Sequence, residues 1–109
     1  MNTKNSDSLL TTKDLYNKAI DLTGLLSKGQ KEILKYMLSF DQVRGVTSDA
    51  IQKKAEITRQ AAAIHLNKLI TLGFVTRKKT RVYVYFIKFQ RIKDLVEDYN
   101  IINNSDFKV

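Results

Sequence analysis

Two short helical segments, separated by very few residues, constrain this sequence more than any other feature. Thr47 precedes the segment Ser48–Ala55, and Thr58 precedes the segment Arg59–Leu72. Threonine is a favoured N-cap, because its hydroxyl accepts a backbone N–H that the first helical turn leaves unpaired. Gly73 follows the second segment, in a position that favours a left-handed residue and ends a helix. Two helices joined so closely fit a helix-turn-helix.

The apolar residues of this pair indicate which face of each helix is buried. Ala62, Leu66 and Leu69 recur at four- and three-residue steps, so they share about a third of the helix circumference. The predicted inward positions are Ile51, Ala55, Ile57, Ala62, Leu66 and Leu69. The opposite face of the second helix then carries Gln60, Ile64, Asn67 and Lys68, with Arg59 and Ala61 in its first turn.

A hairpin is predicted after Gly73, where the apolar period changes. Phe74–Arg77 and Arg81–Ile87 are rich in β-branched and aromatic residues and are joined by Lys78-Lys79-Thr80. The tip holds four cations in five residues: Arg77, Lys78, Lys79 and Arg81. Such density is costly through self-repulsion unless an anion approaches. The tip therefore suits a phosphate backbone or a minor groove; the alternative is a solvated turn whose lysines protect a strand edge.

Amphipathic helices flank this unit on both sides. The first begins at Thr11 with Asp14 as a capping partner and ends near Gly24, and the next begins at Ser27 with Gln30 completing a capping box. The last covers Gln90–Ile102. The fold class is therefore mainly α with a small β-hairpin. We expect a flexible N-terminus over 1–10, one domain over 11–102 with its core in 26–87, and a flexible tail over 103–109.

Charge is distributed unevenly along the chain. The net charge is +8, and residues 27–81 account for all of it, with twelve basic residues against four acidic ones. A basic face gains affinity for nucleic acid by releasing counterions from phosphates. The alternative is that the positive charge only keeps the protein soluble, but such charge would more often be dispersed along the whole chain. The segment that carries the charge is also the one that carries the helix pair and the hairpin.

Three side chains of the second helix suit contact with base edges. Gln60 can make a bidentate pair with adenine, and Arg59 can reach a guanine edge or a phosphate. Ile64, exposed among polar neighbours, suits a thymine methyl in the major groove. The alternative is that Ala61–Ala63 is simply good helix-forming sequence and that Ile64 packs on another helix.

From Leu26 to Ile87 the sequence resembles the winged helix-turn-helix of MarR/ArsR-like bacterial regulators. The resemblance rests on Leu26-Ser27-Lys28-Gly29-Gln30, Gly45-Val46-Thr47, Ile57-Thr58-Arg59-Gln60 and Leu72-Gly73-Phe74-Val75. It implies that the basic hairpin is the wing, and that Arg59, Gln60, Ala61, Ile64 and Lys68 read DNA together with Arg77, Lys78, Lys79 and Arg81. The hairpin lacks the aspartate–arginine pair common in MarR-type wings. The chain is also shorter than a typical MarR protein, so its terminal helices are reduced and no small-molecule effector is expected.

The function that follows is sequence-specific binding of double-stranded DNA by a transcriptional regulator, most simply a repressor. Helix 59–72 would enter the major groove, and the basic wing 77–81 would touch the backbone or the minor groove. Two alternatives stay open: a winged-helix protein-interaction module, and a DNA-binding protein of plasmid or phage replication or maintenance. A homodimer is expected, and its candidate contacts are Leu15, Ile20, Leu95, Tyr99 and Ile102.

Catalysis and metal binding have little support in the composition. The chain has no cysteine and one histidine, which argues against thiol chemistry, a transition-metal site and an ArsR-type metal sensor. His65 should pack or make a local hydrogen bond, and Asp94, Glu97 and Asp98 should form a solvated helix face. We therefore expect no enzyme, no cofactor, no metal and no membrane span, and a cytoplasmic location.

Overall fold

A computed structural model describes residues 11–40 and 42–99. This part of the chain forms five helices and a three-stranded antiparallel sheet, in the order helix, helix, strand, helix, helix, strand, strand, helix. The elements are α1 (Thr12–Leu22), α2 (Lys28–Leu38), β1 (Val46–Thr47), α3 (Ser48–Ala55), α4 (Arg59–Thr71), β2 (Val75–Lys79), β3 (Tyr83–Ile87) and α5 (Phe89–Asp98). The expected fold class, mainly α with a small hairpin, is confirmed.

Side-chain caps begin four of these helices as the sequence predicts. At α2 the reciprocal box is complete: the Gln30 backbone N–H donates to Ser27 Oγ at 3.3 Å, and the Ser27 N–H donates to Gln30 Oε1 at 3.0 Å. Thr11 and Asp14 form the same arrangement at α1. Thr47 and Thr58 each accept one backbone N–H, at 3.2 and 3.1 Å. Each such cap contributes about 1 kcal/mol to helix stability.

The sheet joins the helix pair to the hairpin. Its strand order is β1-β3-β2, so the two-residue strand β1 adds to the outer edge of the hairpin, with Val46 opposite Tyr85. Thr47 is both the last residue of β1 and the N-cap of α3. The start of the helix-turn-helix is therefore bonded directly to the hairpin.

One apolar core holds the helices and the sheet together. From α4 it receives Ala62, Leu66 and Leu69, all three predicted, and from α3 it receives Ile51. The other two predicted inward residues, Ala55 and Ile57, are half-buried, and Ile57 packs against this core. The full set of buried apolar residues is Ala19, Ile20, Leu26, Ile33, Leu34, Met37, Val46, Ile51, Ala62, Leu66, Leu69, Phe74, Val75, Tyr85, Ile87, Ile92 and Leu95.

The turn of the hairpin lies further along the chain than predicted. Strand β2 continues through Lys79, and the turn consists of residues 80–82, where the backbone N–H and the hydroxyl of Thr80 both donate to the carbonyl of Val82, at 3.0 and 3.1 Å. A run of lysines is typical of a turn in sequence, but here Lys78 and Lys79 pair with Val84 and Tyr83 across the ladder. The cations therefore extend the strand and do not form its loop.

Two helix ends also differ from the predicted limits. Helix α4 ends at Thr71, with Leu72 as its C-cap, and α5 covers Phe89–Asp98 where the sequence predicted Gln90–Ile102. The predicted segments 1–10 and 103–109, and Ile102 with them, lie outside the described residues. Within the described residues no helix is long and apolar enough to cross a membrane.

Candidate nucleic-acid interface

The outward face of α4 is a continuous row of exposed side chains. Ile64, at its centre, is 67% exposed, whereas Leu66 and Leu69 on the opposite face are buried. The row follows three- and four-residue steps, which place its members on one side of the helix. We call it the reading face; its members are Gln60, Ala63, Ile64, Asn67, Lys68 and Thr71. Ile64 is therefore accessible to a partner, as the sequence predicts.

Two first-turn residues occupy different environments. Arg59 is exposed, whereas Ala61 is half-buried because it lies next to Ala62 on the side that turns towards the core. Ala63 is the exposed alanine of this turn, so it is better placed than Ala61 for close approach. The sequence placed Asn67 on this face but did not include it among the residues expected to read DNA, and Ala63 and Thr71 were not included either. They could have been predicted from the positions of Ala62, Leu66 and Leu69, because the residues on the opposite side of the helix from these three are the outward ones.

The cations of the hairpin divide between its two faces. Side chains alternate along a strand, so Arg77 and Lys79 share the face of Val75, and Lys78 lies on the other. Arg81 lies in the turn. All four cations are exposed. The predicted cluster of four is therefore a pair on one face, a single lysine on the other and an arginine at the tip.

Both cations that share a face lie close to the same aromatic ring. The guanidinium carbon of Arg77 is 4.3 Å from the centroid of the Tyr83 ring, and Lys79 Nζ is 4.8 Å from the same centroid. Tyr83 is paired with Lys79 in the ladder and is 40% exposed. Sequence reasoning treated Tyr83 as a strand residue and missed this contact, because it depends on the register of the hairpin.

The electrostatics of this region are one-sided. From Ile57 to Lys93 the chain contains nine lysines and arginines and no aspartate or glutamate. The salt bridge found in the described part of the chain joins Lys35 to Asp21 at 2.7 Å, away from this segment. Within the described residues, the cations of α4 and the hairpin therefore form no salt bridge that would compete with a negatively charged partner.

The remaining candidate residues fall outside this interface. His65 is half-buried on α4, and its Nδ1 lies 3.4 Å from Gln30 Nε2 on α2, so the contact joins two helices and is not the local bond expected. Across residues 11–40 and 42–99 no three histidine, cysteine or acidic side chains come together as a metal site.

Two of the predicted dimer contacts are corrected by the burial of their side chains. Ile20 is 0% exposed and Leu95 is 3% exposed, because both pack into the core of their own chain. Leu15 is half-buried, and Tyr99 is exposed at the end of α5. Two exposed apolar residues were not among the predicted contacts: Leu22 (53%) at the end of α1 and Leu25 (45%) in the segment that follows it.

Solved structures with the same fold are numerous, although sequence comparisons find nothing. No protein-family profile matches the sequence, and no curated protein matches it. The structure of MepR, a transcription regulator of the Staphylococcus aureus multidrug efflux pump MepA, is 22% identical over 83% of this chain and 68% of that one, with a TM-score of 0.61. The S. aureus MepR–DNA complex is 21% identical over 94% of this chain and 77% of that one, at 0.59.

A third solved structure belongs by its description to the MarR class, which is the class that the sequence resembles. It is a MarR transcriptional regulator from Methanosarcina mazei Go1, 20% identical over 79% of this chain and 66% of that one, with a TM-score of 0.56. Identities this low show the fold. The winged helix-turn-helix architecture is thereby confirmed, with α3 and α4 as its helix pair and β2–β3 as its wing.

Proposed function

We propose that this chain binds double-stranded DNA at specific sequences and regulates transcription, most simply as a repressor that occludes a promoter. Helix α4 enters the major groove with its reading face towards the bases. The wing contacts the phosphate backbone or the minor groove. The proposal includes no enzymatic activity, cofactor, metal or small-molecule effector.

One observation carries this proposal: an isoleucine that is two-thirds exposed lies between Gln60 and Lys68 on a helix face without a single carboxylate. A face that met only solvent would not need an apolar centre. In the major groove the same three side chain types meet adenine edges, thymine methyls and phosphates. The similarity of the fold to MepR, which has been solved bound to DNA, supports a DNA-binding role.

The proposal includes a homodimer that acts in the cytoplasm. Dimers of helix-turn-helix proteins place two recognition helices about one turn of DNA apart, so they read palindromic sites. Leu22, at the end of α1, and Leu25, just after it, are exposed apolar residues that are available for a contact between two copies. They replace Ile20 and Leu95 as candidates, alongside Leu15 and Tyr99.

Selection of bound DNA from a random duplex pool is the test. The protein is immobilised, washed at about 150 mM salt and eluted, and the recovered duplexes are sequenced over several rounds. We expect an enriched palindrome with half-sites about one helical turn apart. Binding to the enriched site should weaken with salt, with a log–log slope of roughly −4 per protomer if each protomer neutralises four to five phosphates.

Other outcomes would identify the two alternative functions. If no duplex is retained at this salt concentration, the proposal is wrong, and the exposed Ile64 favours a protein partner instead. If the enriched sites are direct repeats with no palindrome, binding is confirmed, but replication or maintenance of a replicon is favoured over repression.

A further inference from the structure

We propose that Tyr83 is a positioning residue of the wing, which holds Arg77 and Lys79 as a preformed pair of cations for two successive phosphates on one DNA strand. This inference rests on the proposed function. The inference adds two things to the proposed function: an uncharged residue that takes part in binding, and a defined arrangement of the two cations.

The geometry of the pair supports this role. Arg77 and Lys79 are two residues apart on β2, which separates their backbone positions by about 6.8 Å. Backbone positions this far apart on one face allow the two side chains to reach neighbouring phosphates of one strand. Both cationic groups lie within 5 Å of the centroid of one ring, so a single side chain fixes both. The register of the hairpin sets this arrangement, since Tyr83 is directly opposite Lys79.

The ring reduces the entropic cost of binding. Lysine and arginine side chains on a surface lose rotamer freedom when they bind a phosphate, and this loss subtracts from affinity. A cation held over an aromatic face has already lost part of that freedom. The cationic groups stay exposed, and neither has a carboxylate partner in the described part of the chain. They are therefore ordered but not neutralised.

Lys78 provides an internal comparison. It lies on the same strand but on the opposite face, and its partner across the ladder is Val84, which has no ring. Lys78 and Lys79 have the same charge and adjacent positions. Of these two lysines, only Lys79 is held in place before DNA binds.

The test compares Tyr83→Val with Tyr83→Phe in the full chain. Valine keeps the β propensity of the strand and removes the ring, while phenylalanine keeps the ring and removes the hydroxyl. On any duplex that the wild-type protein binds, we expect Tyr83→Val to weaken binding about fivefold and Tyr83→Phe to stay within about twofold of wild type. The salt slope should be unchanged in both variants, because no cation is lost. Lys79→Ala, by contrast, should make the slope shallower by about 0.9.

A measurement without DNA checks the positioning directly. The ring current of Tyr83 should shift the side-chain proton resonances of Lys79 upfield in wild type and in Tyr83→Phe. In Tyr83→Val the shift should disappear, and the Lys78 resonances should stay the same in all three proteins. Thermal unfolding of each variant confirms that it is folded.

Three results would overturn the inference, each distinct from failure of the proposed function. Equal affinity of Tyr83→Val and wild type would show that the ring does not help. Equal losses in Tyr83→Val and Tyr83→Phe would show that the hydroxyl is the contact. An unshifted Lys79 spectrum in the wild-type protein would show that the pair is not held. Failure of the proposed function is different, since the wild-type protein itself would then bind no duplex.

Discussion

Gln30 joins the first turn of α2 to the middle of α4, with its Nε2 3.4 Å from His65 Nδ1. The Oε1 of the same amide accepts the backbone N–H of Ser27, so the amide nitrogen faces the ring and donates to it. Because an amide nitrogen can only donate, His65 Nδ1 is the acceptor of this bond. One glutamine thus caps one helix and fixes the side chain of another.

Gln30→Ala should destabilise the fold by about 1–2 kcal/mol, because it removes both the reciprocal cap bond and the donor to His65. Urea unfolding followed by circular dichroism measures this change. Gln90→Ala is the matched control: Gln90 is exposed and bonds only to Asp94 one turn away, so a change within about 0.5 kcal/mol is expected. Equal effects of the two substitutions would show that the link between α2 and α4 contributes nothing.

The two contact surfaces should respond differently to substitution. Gln60→Ala should cost about 1–3 kcal/mol at the selected site and leave binding to random duplex nearly unchanged, because it removes a base contact. Lys79→Ala should weaken binding to both duplexes alike, because it removes a phosphate contact. Fluorescence anisotropy with a cognate and a random duplex separates the two effects. If both substitutions weaken both duplexes equally, base readout by α4 is refuted.

Gly45, which directly precedes β1, has no room for a side chain. Its φ is +75°, and a Cβ placed on it would lie 2.6 Å from side-chain carbons of both Val84 and Phe86. Gly45→Ala should therefore destabilise the protein by about 2–4 kcal/mol, through backbone strain and overpacking together. Gly24→Ala is the control, since nothing lies within 4 Å of a Cβ there. Differential scanning calorimetry of the pair should show a large loss in Tm for the first variant only.

Glu56 has a left-handed backbone, with φ 56° and ψ 47°, at the turn between α3 and α4. A residue with a Cβ is strained there by about 1–2 kcal/mol. Glu56→Gly should therefore stabilise the protein by about 0.5–1 kcal/mol after the entropy of glycine in the unfolded chain is subtracted. Glu56→Ala retains the strain and should change stability by less than this. A greater stability of the alanine variant would assign the effect to the lost carboxylate.

The proposed dimer can be tested at the end of α1. The double variant Leu22→Lys, Leu25→Lys should shift the protein towards monomer, because it places charges in an apolar contact. Glu32→Lys, an exposed site on α2, changes the net charge by the same amount and should leave the dimer intact. Light scattering after gel filtration measures both. A dimer that survives the double variant would place the contact elsewhere, and a monomeric wild-type protein would refute the dimer.

Local signals in the sequence were sufficient to predict the helices of the core and their caps. Threonine is a favoured N-cap, so Thr47 and Thr58 mark helix starts by themselves. The three- and four-residue steps between Ala62, Leu66 and Leu69 place all three on one face of a helix. The outward position of Ile64 follows from the same phase. These properties depend on residues a few positions apart, so the sequence shows them directly.

Properties that depend on distant residues could not be predicted in the same way. The turn at 80–82 depends on the pairing of Lys79 with Tyr83, and no Asn-Gly or Asp-Gly signal marks it. The burial of Ile20 and Leu95 depends on how α1 and α5 pack together, because an apolar stripe on a terminal helix fits either its own core or a second copy. The left-handed Glu56 has no signal at all, since glutamate is not a residue that favours this backbone.

Thr47 ends a strand and caps a helix, so the hairpin and the helix pair are bonded to each other at one residue. A hairpin on a flexible stalk would adjust to whatever groove it met, but this one has no hinge between it and the start of α3. We expect the protein to present helix and hairpin to DNA as a single rigid template. Where the shape of the duplex does not match this template, the duplex must bend or twist. The protein should therefore bind stiff and deformable DNA sequences with different affinities, even at base pairs that no side chain touches.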